Sequence, residues 1–242
     1  MAIVVGIFAK SGDGKSTSIV INPDGKCIYL PEGDPNHADV YEGMNPETTV
    51  FINGDKKRPP FPMGDKWKRG FNYFETSDSE AIGTMIKGIS TKSTTMKSVI
   101  VDTLNSLLLD KEMLDSKKLT YDKWYDLAKD IYALITDCNG LRDDLVIYFM
   151  GHVTLYTDVD GSESKCLITN GKKLEKIKLE SKLPVVLYGS VERGSLGENK
   201  FFFETQQNRS TGKTPLGMFK DFLIPNSLKL VDDTIRKYYG IE

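Results

Sequence analysis

"IVVGIFAKSGDGKST", residues 3–17, decides the fold. Residues 3–8 are a short β-branched apolar run, the pattern of a strand buried in a parallel sheet. The run enters a loop with glycines at 12 and 14, followed by Lys15 and Ser16. Strand, glycine-rich turn and lysine–hydroxyl pair are the parts of a phosphate-binding loop. Gly12 and Gly14 let the backbone turn its N–H groups inward around phosphate oxygens. Lys15 then reaches the β- and γ-phosphates of ATP, and the Ser16 hydroxyl takes a Mg²⁺ ligand position; Ser11, Asp13 and Thr17 complete the nucleotide-binding set. A helix opening at Lys15 and stopped early by Asn22-Pro23-Asp24-Gly25 would add its N-terminal dipole. One position departs from the G-x-x-x-x-G-K-[ST] pattern: Ala9 stands where the first glycine belongs. Alanine is small enough for the strand to exit through it. A chance "GDGKS" in a surface turn would not carry the strand "IVVGIF" in front of it.

The Mg²⁺ site needs an acidic partner, and "SVIVDT" supplies Asp102 at the C-terminal end of a second buried strand. That is the Walker B arrangement, in which a carboxylate holds the metal. Thr103 and Asn105 follow at once and can order the surrounding shell. His152 lies just past the strand "DLVIYFM", at the rim where open α/β sheets bind ligands. It reads equally as a γ-phosphate sensor and as a structural histidine. Glu32, after "CIYL", can polarise an attacking water, or be a plain loop carboxylate in "PEGDP". Arg209 and Lys213, in "ETQQNRSTGKTP", can reach a nucleotide held by a neighbouring subunit, or form a solvated basic turn.

The 242 residues carry a formal net charge of −2, which excludes gripping nucleic acid by bulk charge. Cys27, Cys138 and Cys166 are too scattered for a disulfide framework or a CxxC pair, and read as buried thiols in a reducing compartment. With His37 and His152 the only histidines, a histidine-based metal site is not expected. The N-terminus lacks the basic start of a signal peptide, and no run is long enough to cross a bilayer. The expectation is a cytoplasmic protein without a membrane partner.

The remaining elements follow from pattern. "KCIYL" (26–30) and "TTVFIN" (48–53) read as strands, with 31–47 as a surface insertion between them. Ser77, Asp78 and Ser79 cap a helix whose Ile82, Met85, Ile86 and Ile89 share a face. Residues 121–141 form a long helix, 154–166 a polar loop, and 172–183 a basic helix. "PVVLYG" and "KFFFET" suggest a β-hairpin, and "NSLKLVDDTIRKYYG" a capped terminal helix ending at Gly240. Alternating strands and helices give an α/β fold: a mainly parallel twisted sheet flanked by helices, in one domain spanning 1–242, with a C-terminal hairpin and helix.

"FAKSGDGKST", "GMNPETTVFINGDKKRPPFP", "SVIVDTLNSLL", "LRDDLVIYFMGH" and "FFFETQQNRSTGKTPLGMF" together resemble the RecA-like P-loop ATPases encoded by bacteriophages, a group that includes the phage single-strand annealing recombinases. The resemblance runs nearly end to end. It implies a RecA-like core assembling as a homo-oligomeric ring or filament in the infected host's cytoplasm, with ATP at subunit interfaces. It carries nucleotide and Mg²⁺ roles to Lys15, Ser16 and Asp102, a sensor role to His152, and a reach into the neighbour's phosphates to Lys213. It also implies single-stranded DNA as partner, held by the 153–165 segment. There Tyr156 can stack on a base and Lys165 meet a phosphate, while Asp158, Asp160 and Glu163 oppose it. The lysines at 172, 173, 176, 178 and 182 are a better electrostatic candidate, or a plain solvated face. Two other functions compete: an ATP-dependent switch acting on protein partners, favoured by the acidic loop, and a small-molecule kinase, for which Arg193 and Arg209 are too few and too scattered.

Overall fold

The computed structural model describes residues 1–114, 122–157, 161–169, 178–194 and 198–241, with the side chains of 122–128 outside that description. The described residues form nine strands: β1 (Ile3–Ala9), β2 (Thr49–Asn53), β3 (Tyr73–Glu75), β4 (Ser98–Asp102), β5 (Val146–Thr157), β6 (Glu163–Leu167), β7 (Val185–Arg193), β8 (Asn199–Glu204) and β9 (Leu223–Pro225). Among the described residues four α-helices accompany them: α1 (Ser79–Lys92), α2 (Leu104–Leu114), α3 (Asp122–Cys138) and α4 (Leu228–Tyr239). The spatial order is β3-β2-β4-β5-β1-β7-β8-β9, parallel from β3 to β7 and antiparallel beyond, with β6 folded back on the outer half of β5.

Successive strand residues point to opposite faces, and the two faces bury different partners. Val4, Phe8, Val99, Val101, Ile147 and Phe149 pack with α1, α2 and α3 through Ile82, Ile86, Leu104, Leu107, Ile131 and Ile135. Ile3, Val5, Ile7, Tyr148 and Met150 pack with Leu228, Val231 and Ile235 of α4 and with loop residues such as Met44, Phe61 and Trp67. The α/β fold, the hairpin of β7 with β8 and the terminal helix match the sequence expectation. Asp78 caps α1 by accepting from Glu80 and Ala81 N–H, Ser227 caps α4 by accepting from Leu230 N–H, and Gly240 ends α4 at φ 64°.

Four local expectations are corrected. The helix after the loop is only a 3-10 turn, Thr17–Ile19. Ile19 and Val20 are drawn into the core, and Ile19 O accepts from Met44 N–H at 2.8 Å in place of a next helical turn. Gly43 permits this, because a Cβ there would lie 2.6 Å from Ile19 O. Residues 26–30 form no strand, only an isolated Cys27–His37 bridge. The 154–166 loop is largely strand, since β5 runs on to Thr157 and returns as β6. Within the 172–183 basic helix, 172–177 fall outside the described residues, and Leu179–Lys182 is a 3-10 turn.

At the edge of the sheet where β4 and β5 begin, α4 is fastened by a buried polar cluster. Asp232 accepts from Ser98 Oγ at 2.9 Å, Tyr148 OH at 2.7 Å and Arg236 Nε at 2.6 Å. Arg236 donates onward to Lys97 O and Asp144 O. Asp232→Ala strands the Arg236 charge and the Tyr148 hydroxyl, and is expected to cost about 3–5 kcal/mol. Urea unfolding of wild type and variant checks this; a change under about 1 kcal/mol would show the cluster to be dispensable.

Candidate active site

The loop between β1 and the 3-10 turn is built by two glycines with positive φ, Gly12 at 90° and Gly14 at 83°. Asp13 closes it, accepting from Lys10 N–H at 3.2 Å through Oδ2 while its own N–H reaches Lys10 O. Thr17 Oγ1 and Ser18 N–H both donate to Gly14 O. Asn226, just before α4, donates to the same carbonyl at 3.0 Å, and its amide nitrogen lies 2.2 Å from where a Gly14 Cβ would stand. Among the described residues the N–H groups of Gly12, Gly14, Lys15 and Ser16 have no acceptor. Successive unpaired N–H groups in such a turn make an anion-binding concavity.

Lys15 is 5% exposed, and its ammonium is fully partnered. It donates to Ala9 O at 2.9 Å and Lys10 O at 3.0 Å, and lies 3.2 Å from His152 Nδ1. An ammonium has no lone pair to accept with, so Nδ1 is the acceptor and the His152 proton sits on Nε2. Burial holds the Lys15 pKa below its ordinary value, against the pull of Asp102. Burial, and then the Lys15 charge, also lower that of His152 and keep the ring neutral. β5 lies between β1 and β4, so His152, beside Ala9 in the register, stands between the loop and the acidic strand. The backbone N–H of His152 donates to Asn105 Oδ1 at 2.6 Å, and the Asn105 amide nitrogen in turn donates to Ile168 O.

Asp102 ends β4 and is 5% exposed. Ser16 Oγ donates to its Oδ2, while Oδ1 is buried with no partner among the described residues. Burial pushes its pKa up; the Ser16 bond opposes this and the neighbouring Asp55 adds to it. A buried carboxylate oxygen left unpaired beside a hydroxyl fits a hard divalent cation of the Mg²⁺ type, which takes few protein oxygens and fills its shell with phosphate and water. Asp102 and Ser16 are the residues that would hold it.

Asp55 was not singled out from the sequence, and the structure brings it in. It follows Asn53, which lies beside Asp102 in the β2–β4 register, and Gly54 N–H donates to Asp102 O at 2.7 Å. Thr103 Oγ1 and Ser106 Oγ donate to Asp55 Oδ1, and the Lys57 ammonium pairs with Oδ2. Burial raises its pKa, but the Lys57 and Ser106 hydrogen bonds outweigh that and hold it below the usual range. Two neighbouring carboxyls pushed in opposite directions are the usual mark of divided roles. The signal was an acidic residue just past a buried strand next to the Asp102 strand.

The other expected residues are exposed. Glu32 is exposed in the 31–47 segment, and its side chain makes no hydrogen bond to Lys15, Asp102 or any other described residue. Ser11 is exposed on the loop. Arg209 is exposed at φ 46°, its carbonyl accepting from Lys165 N–H, and Lys213 is exposed where its backbone pairs with Val186. Neither side chain bonds to the loop of its own chain.

The mostly parallel sheet, with a glycine-rich loop leaving an inner strand and an acidic strand two places away, is consistent with a P-loop NTPase fold. No protein-family model matches the sequence, and no curated protein matches it. Among solved structures the chain is similar to the X-ray structure of the Legionella pneumophila ATPase DotB, at 8% identity and a TM-score of 0.35, over 84% of this chain and 44% of that one. The chain thus spans less than half of that protein, and a likeness of this depth carries no argument about activity.

Asp102→Asn removes the buried charge while keeping an oxygen for Ser16. It is expected to raise the metal-free melting temperature by about 2–4 °C per kcal/mol relieved and to abolish any rise on adding MgATP. Thermal scans with and without MgATP decide; a variant that still responds to MgATP would remove Asp102 from the metal site.

Proposed function

We propose that the chain is a Mg²⁺-dependent ATPase of the RecA-like type found in bacteriophages, hydrolysing ATP while acting on single-stranded DNA in recombination, replication or repair. One observation carries the ATPase reading: a buried lysine and a metal-competent serine–carboxylate pair converge on a loop of unpaired N–H groups. The loop binds the phosphates and Lys15 exchanges one of its carbonyl acceptors for them; Ser16 and Asp102 would hold a Mg²⁺ ion, which would offset the phosphate charge. Asp55, kept ionised by Lys57 and the two hydroxyls, accepts the proton of the attacking water. His152, neutral and anchored by Asn105, orients that water or senses the γ-phosphate.

DNA binding draws its support from the β5–β6 hairpin. Tyr156 is 45% exposed near its tip, with the Lys178 ammonium 5.1 Å from the ring centroid. An aromatic face beside a cation suits a splayed base and its phosphate. Assembly into a ring or filament, with Arg209 and Lys213 reaching a neighbour's nucleotide, fits their exposure and the lack of a bond from either side chain to its own loop. A second reading has its own observation. Lys165 is engaged by the buried Glu204 at 3.1 Å, and Leu155 beside Tyr156 is 53% exposed. Those two exposed side chains suit a protein partner, and the chain would then be an ATP-driven switch.

ATP turnover by the purified protein, with and without single-stranded DNA at two salt concentrations, separates these readings. Stimulation by DNA that fades with added salt is expected, since released counterions make phosphate contacts salt-dependent. Turnover indifferent to DNA would favour the switch. Asp55→Asn is expected to lower kcat by about 10²–10⁴-fold with ATP affinity little changed, whereas Lys15→Ala loses ATP binding. Steady-state kinetics and equilibrium titration check both; full turnover in Asp55→Asn would remove Asp55 as the base.

A further inference from the structure

We infer that the nucleotide's base rests on Val191 and Phe201, on the strip of sheet next to the loop; this rests on the reading of residues 10–17 as a phosphate site. In the β7–β8 pair, Gly189 lies opposite Phe203, Val191 opposite Phe201, and Arg193 opposite Asn199. Directly opposed residues of an antiparallel pair share a face, as do residues two apart on a strand. The three pairs therefore form steps along one face, each about 6.6–6.8 Å from the next.

The first step lies under the loop. A Cβ on Gly189 would stand 2.5 Å from Ala9 Cβ and 3.4 Å from Asp13 O. The second step emerges beside the loop: the Phe201 ring comes within 3.2 Å of the position a Gly14 Cβ would take. Phe203, one step in, is fully buried, while Val191 and Phe201 are each 37% exposed. The third step, Arg193 and Asn199, is polar and exposed. Anion site, apolar aromatic step and hydrogen-bonding end thus follow one another in the order of a nucleotide's phosphates, base face and base edge. Stacking on an aromatic ring uses the π-face that every base has, so the platform suits a nucleoside triphosphate and leaves bare polyphosphate untouched.

The test measures ATP and inorganic tripolyphosphate binding, both with Mg²⁺, to wild type and to Phe201→Ala by calorimetric titration. The expected result is an ATP affinity weakened about ten-fold, with tripolyphosphate affinity unchanged. Equal weakening of both ligands, or no weakening of either, overturns the inference while leaving the phosphate-site reading intact. Wild type that binds neither ligand overturns both. Phe201→Trp guards against a variant that fails to fold: its ring keeps ATP affinity, and its added emission should change with ATP but not with tripolyphosphate. Emission indifferent to ATP in a variant that binds it overturns the base platform.

Discussion

A lysine ammonium buried at the end of β1 is the constraint on which the site depends. Taking such a charge out of water costs several kcal/mol, and hydrogen bonds to charged groups return about 1.5–3 kcal/mol each, so one or two partners do not suffice. Lys15 has three: two carbonyls from the end of its own strand and loop, and a ring nitrogen from β5. Those bonds curl the loop back over β1, fix the His152 tautomer and hold the ring in place. The loop's own N–H groups are thereby left pointing away from the protein's acceptors.

The loop is also held from the far end of the chain. Asn226 fastens Gly14 O, and Ser227 both caps α4 and donates to Ile21 O at 2.8 Å. The same helix, further on, is locked through Asp232 and Arg236 to the opposite end of the strands, where β4 and β5 begin. α4 therefore spans the sheet from the starts of β4 and β5 to the loop, and does for the loop what the truncated helix after Thr17 does not. The chain's last residues set the geometry of its first.

What the sequence made legible divides by the range of the forces involved. β1, β4, α1 and α4 were readable because each is written in a local apolar pattern with its own caps. Lys15, Ser16 and Asp102 were readable because their spacing to those strands is itself the signal. The cut-short helix was not, because Gly43 and Met44, more than twenty residues away, take over the Ile19 carbonyl. The hairpin of β5 and β6 was hidden because residues 154–157 are all exposed, so no alternation of buried and exposed residues marks that stretch as a strand. Asp55 was hidden for a different reason. Its importance comes from β2 lying against β4, a neighbour relation that only the assembled sheet defines.

The alanine that spoils the loop's signature has a counterpart across the sheet. Ala9 is wholly buried, and its methyl occupies the space that a side chain on Gly189 would need. The glycine that the loop pattern lacks has in effect moved to the adjacent strand, and the two positions share room for a single carbon. A motif search that reads one strand at a time scores this as a defect. In three dimensions the two positions share one space, and a side chain at 189 needs a glycine at 9.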